Sequence, residues 1–403
     1  MKKRRMLCAL CLLLGLMMLC SGCEKKESAD DYLGRLITRA KENEGELQSV
    51  LETGIADAKS SNDFVIDFPD ELKESYEAFL KEALNQVQFE LNKADKESND
   101  TYIIRVTYEP IDIAATTKET DAGYVKNISG TDFTTEVKNL LEEDTKLLSN
   151  ATKQQKKSRT ITVKKSGDSY KVSKKDITAL LQDALQGYMA PYEAVGTVFD
   201  FRDFMQAYLD AYFKGDTERY CMHTGESAEE AAAWYEESFN SFRLDDLTDD
   251  QNTRFINAIK AIYKNCQYTL GAMRQVSLTE YQFDLTATPN TSIVNAASEL
   301  DAGTYYSTAE VADAFLNIYD KYAAAPSYGT ETTVTINWNS LNMASSNASA
   351  DENFNRLWKQ SFHQNKRSLN VFILNNAIRK SFVLVYGALF CEKSRVILCK
   401  KLE

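Results

Sequence analysis

The chain has 403 residues, room for two or three domains at about 150 residues each. With 43% hydrophobic and 26% charged residues it is too apolar for a disordered chain and can build sizeable cores. Its formal charge of −12, from 47 basic and 59 acidic side chains, argues against general nucleic-acid binding, and two histidines, His223 and His363, nearly exclude histidine-based chemistry.

The first 23 residues read as an address. Lys2, Lys3, Arg4 and Arg5 form a positive head, and residues 6–19 form an apolar stretch too short to span hydrocarbon comfortably. Cys20-Ser21-Gly22-Cys23 follows, small residues ahead of a cysteine. This resembles the bacterial lipoprotein signal, with Cys20 standing where leucine is usual. The resemblance implies cleavage after residue 22, lipid on Cys23, and a membrane-anchored body on the extracytoplasmic face. Residues 23–30 then make a lipidated cysteine and a short polar linker. A plain secretory signal and an uncleaved anchor are the other readings.

Along the body, residues 32–58 read as helix with a break at 43–45, and Pro69-Asp70-Glu71 opens a second helix running to about Val87. Residues 89–91 and 102–108 read as strands, and 131–148 as a helix. A hairpin turns at Ser166-Gly167-Asp168 between 159–165 and 169–172. Ser173, or else Asp176, caps a helix ending near Gly187. Residues 187–196, with Pro191 and two glycines, look like a linker.

Beyond it, helices are expected over 201–213, 227–242, 253–263 and 307–322. Gly215 should stop the first and Asp216 cap the next, while Thr248 and Gln251 form a capping box. Strands are expected over 267–273, 281–288 and 331–338. Gln88-Phe89-Glu90-Leu91 and the strand from Tyr102 to Pro110 recur 179 residues later, as Gln267-Tyr268-Thr269-Leu270 and the strand from Tyr281 to Pro289. The preceding helix also aligns: Phe79, Leu80 and Leu84 fall against Ala258, Ile259 and Tyr263. The chain therefore reads as a signal (1–22), a linker (23–30), two α+β repeats (31–190 and 197–362) and a tail (363–403).

Tyr208-Leu209-Asp210-Ala211-Tyr212-Phe213-Lys214-Gly215-Asp216, a helix ending at Gly-Asp, resembles the opening of an NTF2-like or cystatin-like α+β roll. With the lipoprotein signal, the whole resembles Gram-positive (clostridial-type) lipoproteins that carry tandem domains of unknown function. The resemblance implies two tandem rolls, helices on curved antiparallel sheets, and supplies no catalytic residues.

Chemistry is sparse. No phosphate loop, dinucleotide fingerprint, HExxH, GxSxG or EF-hand loop occurs. Cys8, Cys11 and Cys20 leave with the signal, and Cys221, Cys266, Cys391 and Cys399 contain no CxxC pair. Cys221 and Cys266 form either one disulfide or two small buried hydrophobes. His223 near Cys221 reads as a loop or surface histidine. Asp245, Asp246, Asp249 and Asp250 read as acids dressing a helix N-terminus, with calcium binding as the rival. Trp234, Tyr235, Tyr305, Tyr306 and Trp338 either line an open cup or pack a core. No cofactor and no metal is expected.

The tail is basic, eight cations against two anions over 366–403. It reads as a surface contact, an extra hairpin, or an altered reading frame replacing the native end. The functional expectation is an anchored binding or interaction module with a protein, peptide or envelope ligand and no nucleic acid. The alternatives are an enzyme using carboxylate or tyrosine acid–base chemistry in a roll cavity, and a solute receptor for a transporter.

Overall fold

The computed structural model describes residues 27–339. Cys23, the signal segment and the tail from residue 363 lie outside the described residues. The fold is α+β, antiparallel sheets packed with helices in the manner of a roll.

Ser28 caps α1 (Ala29–Ala40), its hydroxyl accepting from the Asp31 amide, and Asn43 precedes α2 (Glu44–Asn62). Pro69 leads through a 3-10 turn (Asp70–Leu72) into α3 (Lys73–Asn85). Strands β1 (Phe89–Leu91), β2 (Asp95–Lys96), β3 (Thr101–Tyr108) and β4 (Ile111–Asp112) follow. Then come α4 (Ile113–Val125) and α5 (Phe133–Thr145), the second capped by Asp132. After a 3-10 turn (Leu148–Asn150), β5 (Thr152–Lys153), β6 (Lys157–Ser166) and β7 (Ser169–Val172) lead to α6 (Lys174–Ala184) and β8 (Leu185–Gln186).

The expected linker is instead the start of α7 (Ala190–Lys214). Pro191 sits in its first turn, where the missing N–H costs nothing, so the residue that suggested a break begins a helix. Gly215 ends it at φ 74°, a left-handed conformation that favours glycine. Thr217, rather than Asp216, takes the cap position of α8 (Glu218–Thr224). Capping boxes at Ser227 and Thr248 open α9 (Ala228–Asn240) and α10 (Asp249–Lys264). The remaining elements are β9 (Gln267–Gln275), β10 (Glu280–Thr288), α11 (Ser292–Ala302), α12 (Thr308–Ala324) and β11 (Thr332–Asn339).

The 179-residue recurrence extends to the hydrogen-bond register. In the first sheet Phe89 faces Tyr108, Leu91 faces Val106 and Asp95 faces Ile103. In the second, Tyr268 faces Ala287, Leu270 faces Leu285 and Arg274 faces Gln282, each partner 179 residues on. The third strands match at an offset of 175: Ile104 faces Ile161, and Phe283 faces Ile336. The inward residues at these positions, Ile104, Ile161, Phe283 and Ile336, are buried. Helices α4 and α11 also coincide under the 179 offset, although the apolar pattern predicts neither. The inward stripe of α4 is Ile113, Thr117, Asp121 and Val125, half of it polar, which hides the helical period.

Compactness groups the chain differently from sequence order. One unit holds the described residues up to Val50, Leu80–Asp112 and Thr152–Gln186, with the sheet ordered β1-β3-β6-β7 and a small sheet β5-β4-β8. The other holds Leu51–Phe79, Ile113–Ala151 and the chain from Gly187, with the sheet ordered β11-β10-β9.

Candidate functional site

Two clusters of buried ionisable side chains stand out, both in the second unit. The first joins α7, α8 and the segment after α2. Asp200 and Asp203 lie one turn apart on α7, and Arg219 and His223 lie one turn apart on α8, so each pair shares a helix face. His223 Nε2 lies 2.7 Å from Asp203 Oδ2, which also accepts from Arg219 Nε at 2.6 Å. Asp200 Oδ1 accepts the backbone N–H groups of Val65 and Ile66 at 2.7 and 3.2 Å. Its Oδ2 is 3.9 Å from His223 Nδ1. Burial pushes the Asp203 carboxyl up, but hydrogen bonds from His223 and Arg219 outweigh that and hold it below the usual carboxylate range. Asp203 is thus an acceptor, and the geometry assigns the Nε2 proton to His223.

His223 is therefore not a loop or surface residue. It lies within α8 with its side chain 1% exposed, because the Asp203 carboxylate accepts its Nε2 proton inside the protein; its Nδ1 has no hydrogen-bond partner among the described residues. The edge-on Phe204 ring, 5.7 Å away, shares its site. Cys221 is two positions along the same helix, a spacing that points side chains apart. Burial, with Glu226 nearby, raises its thiol, so no activated thiolate faces the imidazole. Cys221 and Cys266 are both free, half-buried thiols rather than a disulfide. Burial pushes Cys266 up to about 12.

The second cluster lies between α4 and α5. Asp121 accepts from Thr117 Oγ1 at 2.8 Å, and its carboxyl hydrogen-bonds Asp144. Asp144 is fully buried, and with both carboxyls ionised neither of its oxygens has a donor. Burial, then repulsion from Asp121, pushes Asp144 up to about 9. Burial also raises Asp121. The two acids thus share a proton at neutral pH, and that proton supplies the missing donor. Glu136, nearby on α5, accepts from Tyr124 Oη at 2.6 Å and from the Gly130 amide at 2.9 Å. A Cβ on Gly130 would come within 2.1 Å of the Glu136 oxygen, so only glycine permits that approach.

The remaining sequence candidates are structural. Trp234 stacks on Tyr220 at 5.2 Å, and Tyr235 meets Phe239 edge-on at 5.0 Å. Trp338 is buried on β11, Tyr305 is half-buried, and Tyr306 is exposed. Asp249 and Asp250 occupy the first turn of α10, where Asp249 pairs with Arg243; Asp245 and Asp246 precede it, exposed. Among the described residues no group of three or more ligating side chains forms a metal site. No described helix is long and apolar enough to cross a membrane.

Pattern reading missed Asp121, Asp144, Asp200 and Asp203, since an isolated aspartate on a helix gives no sign of burial. The available signal was spacing: each stands four residues from buried positions on its helix, Asp121 from Thr117 and Val125, Asp203 from Phe199 and Ala207.

No protein-family model matches the chain, and no curated protein matches it. Among solved structures, the chain is similar to a protein described as a lipoprotein (ycdA) from Bacillus subtilis, at 12% identity and a TM-score of 0.28. The similarity covers 63% of this chain and 89% of that one.

Proposed function

We propose that this chain is an extracytoplasmic lipoprotein, anchored through lipid on Cys23, whose folded body is a binding or interaction module. The observation that carries the reading is the N-terminal sequence, a basic head, a short apolar stretch and Ser21-Gly22-Cys23. The spacing to the body supports it. Ser28, the cap of α1, follows Cys23 by five residues, at most about 18 Å of extended chain. A body so tethered works at the membrane surface.

An interaction role suits the interior better than catalysis. His223, Asp121 and Asp144 are buried, and each finds its partner within the protein. A reacting substrate would need to reach such groups. The main sheets are antiparallel, unlike the two parallel-sheet lobes usual in solute receptors. Gram-positive origin and two NTF2-like rolls remain part of this proposal.

Fractionation of cells producing the wild type and Cys23→Ala tests the anchor. After a wash in about 0.5 M salt, which strips charge-held protein, the wild type should sediment with membranes and incorporate labelled fatty acid. The variant should do neither, and an unchanged membrane-bound fraction would overturn the reading. Native mass spectrometry of the released protein then tests the module, with a retained small-molecule or peptide adduct as the supporting result.

A further inference from the structure

Residues 153–175 carry nine basic side chains and one acid, Asp168, in a chain that is acidic as a whole. Strands β6 and β7 fold most of this stretch into a hairpin in which Lys164 stands directly opposite Lys171. Two like charges side by side across an antiparallel pair repel each other. Both are exposed, and with Arg105 on β3 they share the face opposite the buried Ile104, Val106, Ile161 and Val163. Lys153, Lys156 and Arg159 pair with Glu109, Glu90 and Asp183. Lys164, Lys165, Lys171 and Lys175 make no ion pair among the described residues.

The scaffold does not require this charge. In the second sheet the position of Lys164 is taken by Asn339 and that of Arg105 by Asp284, in the same register. The lysines therefore add repulsion that an anionic partner would offset. The hairpin also lies beside α1, which begins six residues after Cys23. Tyr170, next to Lys171, meets Tyr32 of α1 with ring centroids 5.7 Å apart. Glu27 and Asp30, the acids acting on Tyr170, are already paired with Arg35 and Lys93, while exposed Asp100, whose carbonyl accepts the Lys165 amide, and Asp168 in the turn flank the lysines.

We propose that the exposed lysine face of the β6–β7 hairpin docks on the anionic lipid surface to which Cys23 tethers the chain. The proposal rests on the lipid-anchor reading. Lysines near an anionic bilayer strengthen binding about fivefold each, and screening by salt removes that gain. The acidic remainder of the chain is repelled by the same surface, so the contact also orients the body.

The test uses the secreted chain carrying Cys23→Ala, which has no lipid, in sedimentation with vesicles. Vesicles of phosphatidylcholine and phosphatidylglycerol in equal parts should bind it, those of phosphatidylcholine alone should not, and salt at about 0.5 M should release it. Lys164→Glu with Lys171→Glu should weaken binding about tenfold or more. Lys118→Glu with Lys126→Glu makes the same change in net charge on exposed residues of α4 and its end, and should stay within about twofold of the parent. Lys164→Gln with Lys171→Gln, which relieves repulsion and keeps the hairpin, should show an intermediate loss. Binding to neither vesicle, equal binding to both, or equal loss in the two charge-reversed proteins would overturn the proposal. None of these results bears on lipidation, which the fatty-acid label reads separately.

Discussion

The helix pair α4–α5 and the helix pair α11–α12 hold the same place in the recurring sequence but have chemically opposite interiors. Under the 179-residue offset, Thr117, Asp121, Glu136 and Asp144 correspond to Ala296, Leu300, Phe315 and Ala323. Three of the four positions are buried in both pairs; the fourth is buried as Asp144 and half-buried as Ala323. One scaffold thus closes over carboxyls in one copy and over hydrocarbon in the other. Apolar packing alone suffices for this arrangement. The acids of α4–α5 are an addition, and their desolvation is offset by a shared proton, one hydroxyl, one phenol and one amide.

The largest expected effects come from truncating the same position in each pair. Phe315→Ala removes a ring packed on Phe255 and Tyr319 and should cost about 3–5 kcal/mol. Glu136→Ala leaves the Gly130 amide and the Tyr124 hydroxyl without their acceptor and should cost about 2–4 kcal/mol. Glu136→Gln keeps an acceptor for the amide and should recover about half of that. Urea unfolding at neutral pH measures all three. If Glu136→Ala proves neutral, the buried carboxylate contributes nothing and the contrast between the pairs is only one of composition.

The comparison also predicts a pH dependence confined to one pair. Burial and Asp121 push Asp144 up to about 9 from its ordinary 3.8, so the folded pair holds a proton that the unfolded chain releases. Its contribution to stability is complete below about pH 4, declines as pH rises, and is gone above about 9. Replacing Thr117, Asp121 and Asp144 by Ala, Leu and Ala, the residues of the other pair, should abolish that decline. The variant should gain on the wild type by up to about 1.4 kcal/mol per pH unit between pH 6 and 8. Parallel stability profiles for the two proteins would refute a shared proton.

How much of this was legible depended on whether polarity followed the fold. The strands of both copies alternate, and the helix before each carries buried Phe79, Leu80 and Leu84 or Ala258, Ile259 and Tyr263, so the 179-residue recurrence shows in the chain itself. Helices α4 and α11 were hidden, one by inward Thr117 and Asp121, the other by inward Ser292 and Ala296. The third-strand match was hidden by its shorter offset. His223 looked like a surface residue because its partner, Asp203, comes from a different helix. The excess of lysines was countable, but only the register sets Lys164 beside Lys171. The proposed lipid attachment at Cys23 rests on the sequence.

The smallest expected effect sharpens the contrast most narrowly. Thr117→Val keeps the shape of the side chain but removes the hydroxyl that donates to Asp121 Oδ2 at 2.8 Å. The corresponding residue in the other pair, Ala296, has no such group and needs none, because Leu300 lies where Asp121 does. Losing the donor leaves Asp121 with its bond to Asp144 alone and should cost about 1 kcal/mol near neutral pH. The cost should shrink toward pH 4, where a second proton lets Asp121 remain uncharged. A loss equally large at both pH values would mean that Thr117 acts through packing, and the proton shared by Asp121 and Asp144 would then need no third partner.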